Sequence, residues 1–199
     1  MCNILCVTNR ALCQEDFLVR IEKIAACRPA GIILREKDLP QEEYEPLAAA
    51  VMAICRNYQV PCVLHSFVQA ALNLQAGALH LPLPLLRRLE LAEKKRFAIL
   101  GASCHSVEDA LEAQRLGCTY ITAGHVFATD CKKGVPPRGL AFLQAVCQSV
   151  SIPVYAIGGI GSGNIASVRQ AGAKGACVMS GLMQCGDVRQ YLAGLQSPR

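Results

Sequence analysis

The chain has 199 residues, 52% hydrophobic and 18% charged, with no Trp and a formal net charge of +5. That balance excludes an intrinsically disordered chain, and no apolar run approaches the ~18 residues needed to cross a bilayer. The basic residues are scattered in short runs (Arg87-Arg88, Lys94-Lys95-Arg96, Lys132-Lys133) without interleaved aromatics, which argues against a nucleic-acid partner.

From the start, Met1 to Arg10 lack the basic segment and apolar stretch of a secretory signal, so a cytoplasmic location is expected. Short apolar, β-prone runs then recur: Ile4 to Val7, Gly31 to Leu34, Cys62 to Leu64, Ala78 to Leu81, Phe97 to Leu100, Thr119 to Thr122, Val154 to Ile157 and Ala176 to Met179. Between them lie stretches of helical spacing, such as Phe17, Leu18, Ile21, Ile24 and Ala25, or Leu140, Leu143, Val146 and Cys147. Ser106 followed by Asp109 reads as a capping-box-like helix start, with Asp in place of Glu or Gln. Strands apolar on both faces, each followed by a helix, imply a parallel sheet covered by helices. Eight such units predict a (β/α)8 TIM barrel, a single domain over residues 1–199, with an open doubly wound sheet as the alternative. The 12 cysteines run from Cys2 to Cys185 without a CxxC pair and read as small buried hydrophobes; no metal site and no cofactor are expected.

In such a barrel the chemistry belongs to the loops after the strands. All four histidines fall there, as His65, His80, His105 and His125, although His80 also fits the inward face of its strand. Gly158-Gly159 follow the seventh run and Met179-Ser180-Gly181 the eighth, the recurrent phosphate site of barrel enzymes. Gly161-Ser162-Gly163-Asn164-Ile165-Ala166 formally fits a dinucleotide fingerprint, but too little chain follows for a second mononucleotide half. Arg35-Glu36-Lys37 place two cations on the rim, and the longest loop, Ala123 to Arg138, carries His125, Thr129, Lys132 and Lys133. Rim carboxylates are few: Glu36, Asp38 and Asp130. The set suits an anionic small molecule.

Leu34-Arg35-Glu36-Lys37, Gly101-Ala102-Ser103-Cys104-His105-Ser106, the stretch from Gly124-His125-Val126-Phe127 to Lys132-Lys133-Gly134, and Ala156-Ile157-Gly158-Gly159-Ile160 together resemble the thiamine phosphate synthase/TenI superfamily. The resemblance extends to Gln170-Ala171-Gly172-Ala173 and Val178-Met179-Ser180-Gly181. It implies the same barrel fold and one of two activities. The synthase couples a pyrimidine pyrophosphate to a thiazole phosphate and needs Mg2+, whereas TenI-like proteins isomerise a carboxythiazole phosphate to its aromatic tautomer. The resemblance places substrate contacts at Arg35, Lys37, Ser103, Thr129, Lys132, Gly158, Gly159, Met179, Ser180 and Gly181. It also marks departures from the synthase: Ile33 for a glutamine, His65-Ser66 for an Asn-Asp pair, and Leu81 to Leu85 without the second Mg2+-binding aspartate. The Gly124-His125-Val126-Phe127 tetrapeptide matches the tautomerase branch and implies that His125 shuttles the proton. A neutral-range pKa suits imidazole to that task. The expected function is therefore a thiazole tautomerase acting on a phosphorylated thiazole, without synthase activity. A thiamine phosphate synthase and a non-catalytic thiazole-phosphate-binding paralogue are the alternatives. No nucleic-acid or membrane partner is expected, and a homo-oligomer is left open.

Overall fold

The computed structural model describes residues 3–196; Met1, Cys2 and the last three residues lie outside it. In chain order the elements are β1 (Ile4–Val7), α1 (Phe17–Ala26), β2 (Gly31–Leu34), α2 (Gln41–Asn57), β3 (Cys62–His65) and α3 (Val68–Asn73). There follow β4 (Ala78–Pro82), α4 (Leu83–Arg88), α5 (Leu91–Lys94), β5 (Ile99–Cys104), α6 (Val107–Arg115), β6 (Tyr120–Gly124) and α7 (Gly139–Ser149). The chain closes with β7 (Val154–Ile157), α8 (Ile165–Gln170), β8 (Gly175–Val178), α9 (Ser180–Gln184) and α10 (Val188–Gln196). The strands pair in parallel in chain order, and β8 pairs back with β1 to close the barrel. The (β/α)8 reading holds, and the open sheet is excluded.

Side chains alternate between two apolar layers, as the two-residue period of a strand requires. Ile4, Cys6, Ile32, Leu34, Leu64, Leu79, Leu81 and Leu100 face the helices. Leu5, Val7, Ile33, Val63, Ala78, Tyr120 and Cys177 fill the barrel interior. Each fully buried Leu or Ile contributes about 1.5–3 kcal/mol of transfer free energy. The helices complete the outer layer with single faces, Ile21, Ile24 and Ala25 from α1 and Leu143 and Val146 from α7. Local signals start them: Asp16 accepts from the Val19 amide before α1, and Ser106 accepts from the Asp109 amide before α6. Asp109 in turn accepts from the His105 amide, one residue before the Ser106 amide that a full capping box would engage, so only the Ser106 half of the predicted box forms.

β3 and β4 each run one residue further than expected and β8 begins and ends one residue earlier, while β5 and β6 differ more. β5 begins two residues later than predicted and runs on through Cys104, and β6 extends to Gly124. Ser103 and the Ala123-Gly124 pair thus lie in strands instead of loops. Gly101 explains the first shift, for it sits opposite Tyr120 in the ladder. A Cβ there would collide with the Tyr120 ring and lie 2.6 Å from His80 Nδ1. Glycine reads as a breaker in sequence, but here it makes room inside the barrel. The 11 described cysteines are free thiols. No described helix is long and apolar enough to cross a membrane.

Candidate functional site

The mouth at the C-terminal ends of the strands gathers most of the expected site residues. Arg35 and Lys37 follow β2, and their backbone is held by a buried carboxylate. Glu36, 1% exposed, accepts from the Thr8 hydroxyl at 2.6 Å and from the Arg10 amide at 3.0 Å. The Thr8 hydroxyl oxygen accepts from the Arg35 amide at 2.9 Å. This chain of bonds ties the start of the β2 loop to the end of β1, so Arg35 departs from a fixed base. Lys37 is pushed below the usual lysine range, first by partial burial and then by the charges of Arg35 and Lys132. Three cations from two loops therefore share one field, which favours a negative charge at the mouth.

The glycine loops lie at neighbouring strand ends, since Ile157 of β7 pairs with Cys177 of β8. Gly158 has φ of 102°, and an added Cβ would collide with that of His125. The β7 loop is thereby laid directly on the β6 loop. Ser180 and Gly159 are exposed, and Met179 and Gly181 partly so. Arg20, buried in α1, donates to the Cys185 carbonyl at 2.8 Å and fastens the far end of α9. Sequence reasoning missed Arg20, because a cation on a helix face ordinarily reads as solvated.

His125 is buried, and its Nε2 donates to the Val135 carbonyl at 3.2 Å. Its own carbonyl accepts from the Arg138 amide. The residue thus fastens both its side chain and its backbone to the far limb of the long loop. Thr129 and Lys132 sit in that loop, around a single 3-10 turn at Asp130–Lys132. His105 lies outside this group, with Nδ1 donating to the Gly124 carbonyl at 2.8 Å.

The barrel interior just below the mouth is polar, and most of this was not anticipated. His65 and His80 rings stack at 5.6 Å between centroids, and His80 lies 5.4 Å from the Tyr120 ring. Tyr155 meets Tyr120 edge-on at 5.9 Å. His80 bonds the Tyr120 hydroxyl and Ser103 Oγ, each at 2.9 Å. The available signal was polar aromatic residues at inward strand positions. Burial pushes His65 down to about 2, with His80, Lys37 and Arg35 adding repulsion, and burial alone pushes His80 down to about 3. In the unfolded chain both would titrate near ~6.5. Below that pH the folded protein binds fewer protons than the unfolded chain, so acid is destabilising until the folded groups themselves titrate. Stability should fall by about 1.4 kcal/mol per pH unit for each histidine. Urea midpoints at pH 7 and pH 5 measure this. A flat profile between them would mean that both imidazoles are already charged in the fold.

Magnesium, which the resemblance attaches to the coupling reaction, takes hard oxygen ligands. The positions concerned carry His65, Ser66 and Leu85. Of the rim carboxylates, Glu36 is engaged by Thr8 and Arg10, and Asp38 by the Arg10 guanidinium at 2.6 Å. Among the described residues no group of three or more His, Cys, Asp or Glu could hold a metal ion. These residues do not fit a protein-held magnesium.

A family model described as thiamine monophosphate synthase matches residues 4–182. Thiamine-phosphate synthase 2 of Streptococcus pneumoniae serotype 4 is 37% identical over 190 residues, covering 92% of this chain and 88% of its own length. The thiamine-phosphate synthase of Syntrophomonas wolfei is 35% identical over 189 residues, with the same coverages. Among solved structures, a thiamine phosphate pyrophosphorylase from Pyrococcus furiosus superposes with a TM-score of 0.85 at 30% identity, covering 98% of this chain and 93% of that one. The expectation of a thiazole tautomerase is corrected by these findings. It rested on the tetrapeptide around His125 and on the departures from the synthase at Ile33, His65-Ser66 and Leu81 to Leu85, whereas relatives similar over nine-tenths of the chain carry the synthase name. The side chain on which it turned is engaged by the Val135 carbonyl.

Proposed function

The chain belongs to the thiamine monophosphate synthase family, and on that premise we propose that it is a transferase of thiamine-phosphate synthesis. It joins a thiazole phosphate to a pyrimidine carried as its pyrophosphate. The bond from the pyrimidine methylene carbon to the pyrophosphate oxygen breaks, the thiazole nitrogen forms the new bond to that carbon, and pyrophosphate leaves with the electron pair. The observation that carries this reading is the shared field of Arg35, Lys37 and Lys132 at the mouth that also bears the β7 and β8 glycine loops.

Those features divide the work between two anions. Arg35, Lys37 and Lys132 face the pyrophosphate and stabilise the negative charge that grows on it as the bond breaks. Fixed charges in a partly dry site do this without reorganising. The backbone of Gly158-Gly159 and Ser180-Gly181 holds the thiazole phosphate, with Met179 beside the ring and Thr129 closing from the long loop. Ser103 offers its hydroxyl between the two. His125 acts as a positioning residue, holding the loop that carries Thr129 and Lys132.

Crystals grown with inorganic pyrophosphate and phosphate test the division directly. One anion is expected over Gly158-Gly159 and Ser180, and a second against Arg35, Lys37 and Lys132. Anions bound solely at Arg87-Arg88, with the mouth empty, would overturn it.

A further inference from the structure

Three strands bring Tyr120, His80 and Ser103 into one line of hydrogen bonds across the barrel interior. His80 Nδ1 lies 2.9 Å from the Tyr120 hydroxyl and Nε2 lies 2.9 Å from Ser103 Oγ. The absence of a side chain at Gly101 makes the first contact possible. His80 is 2% exposed and Tyr120 6%, while Ser103 is partly open to the mouth.

A neutral imidazole has one donor and one acceptor, so the two ends of His80 must play opposite parts. Burial keeps this ring neutral. Two arrangements remain, and they differ at Ser103. If Nδ1 carried the proton, it would donate to the Tyr120 oxygen, and the buried phenol would need a second acceptor for its own proton. The described structure gives that hydroxyl one hydrogen-bond partner, His80. A buried donor left unpaired costs about 1–3 kcal/mol. If Nδ1 is bare, Tyr120 donates to it and nothing is left unsatisfied. Nε2–H then donates to Ser103 Oγ, whose own proton is not needed inside the barrel.

We propose that Tyr120 and His80 fix the direction of the Ser103 hydroxyl, so that Ser103 meets its substrate as a hydrogen-bond donor to an anionic oxygen. Tyr120 and His80 are positioning residues, and Ser103 is the group that touches substrate. The proposal deepens the proposed function and rests on it at one point, that Ser103 contacts the pyrophosphate-bearing substrate. In the opposite arrangement Ser103 would present only lone pairs to an anion and repel it.

The ring-nitrogen shifts of the 15N-labelled protein read the arrangement without any assay, with His80→Gln used to assign the signals. The expected result is a pyridine-like Nδ1 and a pyrrole-like Nε2 in the wild-type protein. Tyr120→Phe keeps the ring packed on Tyr155 but removes the constraint, and the proton should redistribute toward Nδ1. In turnover, Ser103→Ala should lower kcat/KM by about tenfold to a hundredfold, the range for a hydrogen bond to a charged group. Tyr120→Phe should cause part of that loss alone and little further loss in the double variant. A pyrrole-like Nδ1 in the wild type, or a tautomer indifferent to Tyr120→Phe, would overturn the proposal. If the tautomer is as expected but the two substrates are not joined, the relay stands and the functional reading fails.

Discussion

Replacing Gly158 with alanine is expected to destabilise the protein by about 2–5 kcal/mol and to abolish phosphate binding at the mouth. Two costs add. The backbone stands at φ 102°, where an L side chain costs about 1–2 kcal/mol. The new Cβ would also collide with His125 Cβ and lie 2.8 Å from its Cα, and relieving such an overlap costs about 1–3 kcal/mol. Because the loop can yield only by lifting off His125, the anion cradle moves with it. Gly134→Ala is the control. It has a similarly positive φ of 80° but nothing within 4 Å of the added atom, so only the first cost applies. Urea unfolding of both variants, with phosphate affinity by calorimetry, checks the difference. Equal losses in the two variants would show that the close approach of the β6 and β7 loops has no energetic weight.

Arg35→Ala should lower kcat/KM for thiamine phosphate formation by about 10²–10³-fold, with little change in stability. The guanidinium supports charge that appears only as pyrophosphate departs, so the loss should fall on kcat as well as KM. Its backbone seat on Thr8 and Glu36 does not depend on the side chain, which is why the fold should survive. Arg35→Lys should recover part of the rate, because a point charge replaces a planar fork. Steady-state kinetics on the three proteins decide the matter. A loss below about threefold would place Arg35 outside the reacting site.

The barrel was legible because its strands are apolar on both faces and its helices on one. Ile4–Val7 and Gly31–Leu34 can be read off the chain without error at either end. The ends of β5 and β6 were not legible, because Gly101 and Gly124 look like breakers until the ring of Tyr120 and the end of β7 are known to press against them. Arg35, Lys37 and the β7 and β8 glycines were singled out from their places after strands, a rule of the fold, and the structure puts them at the strand ends. The Tyr120–His80–Ser103 line escaped because it joins three strands through side chains, and no local pattern encodes such a contact. The weight placed on His125 has a related origin. A histidine in a long loop reads as an available base, but its partner, the Val135 carbonyl, is a backbone atom that sequence does not display. Similarity over most of the chain outweighs that position and the departures at Ile33, His65-Ser66 and Leu81 to Leu85 in choosing the reaction.

The most direct measurement of the proposed function is product formation from the thiazole phosphate and the pyrimidine pyrophosphate by the purified protein, followed by mass spectrometry. Thiamine phosphate and pyrophosphate should appear in equal amounts, at a rate proportional to enzyme and absent when either substrate is withheld. The Arg35→Ala protein should lag the wild type by the factor given above. Failure to form thiamine phosphate from both substrates, with the protein folded and both anions bound at the mouth, would contradict it.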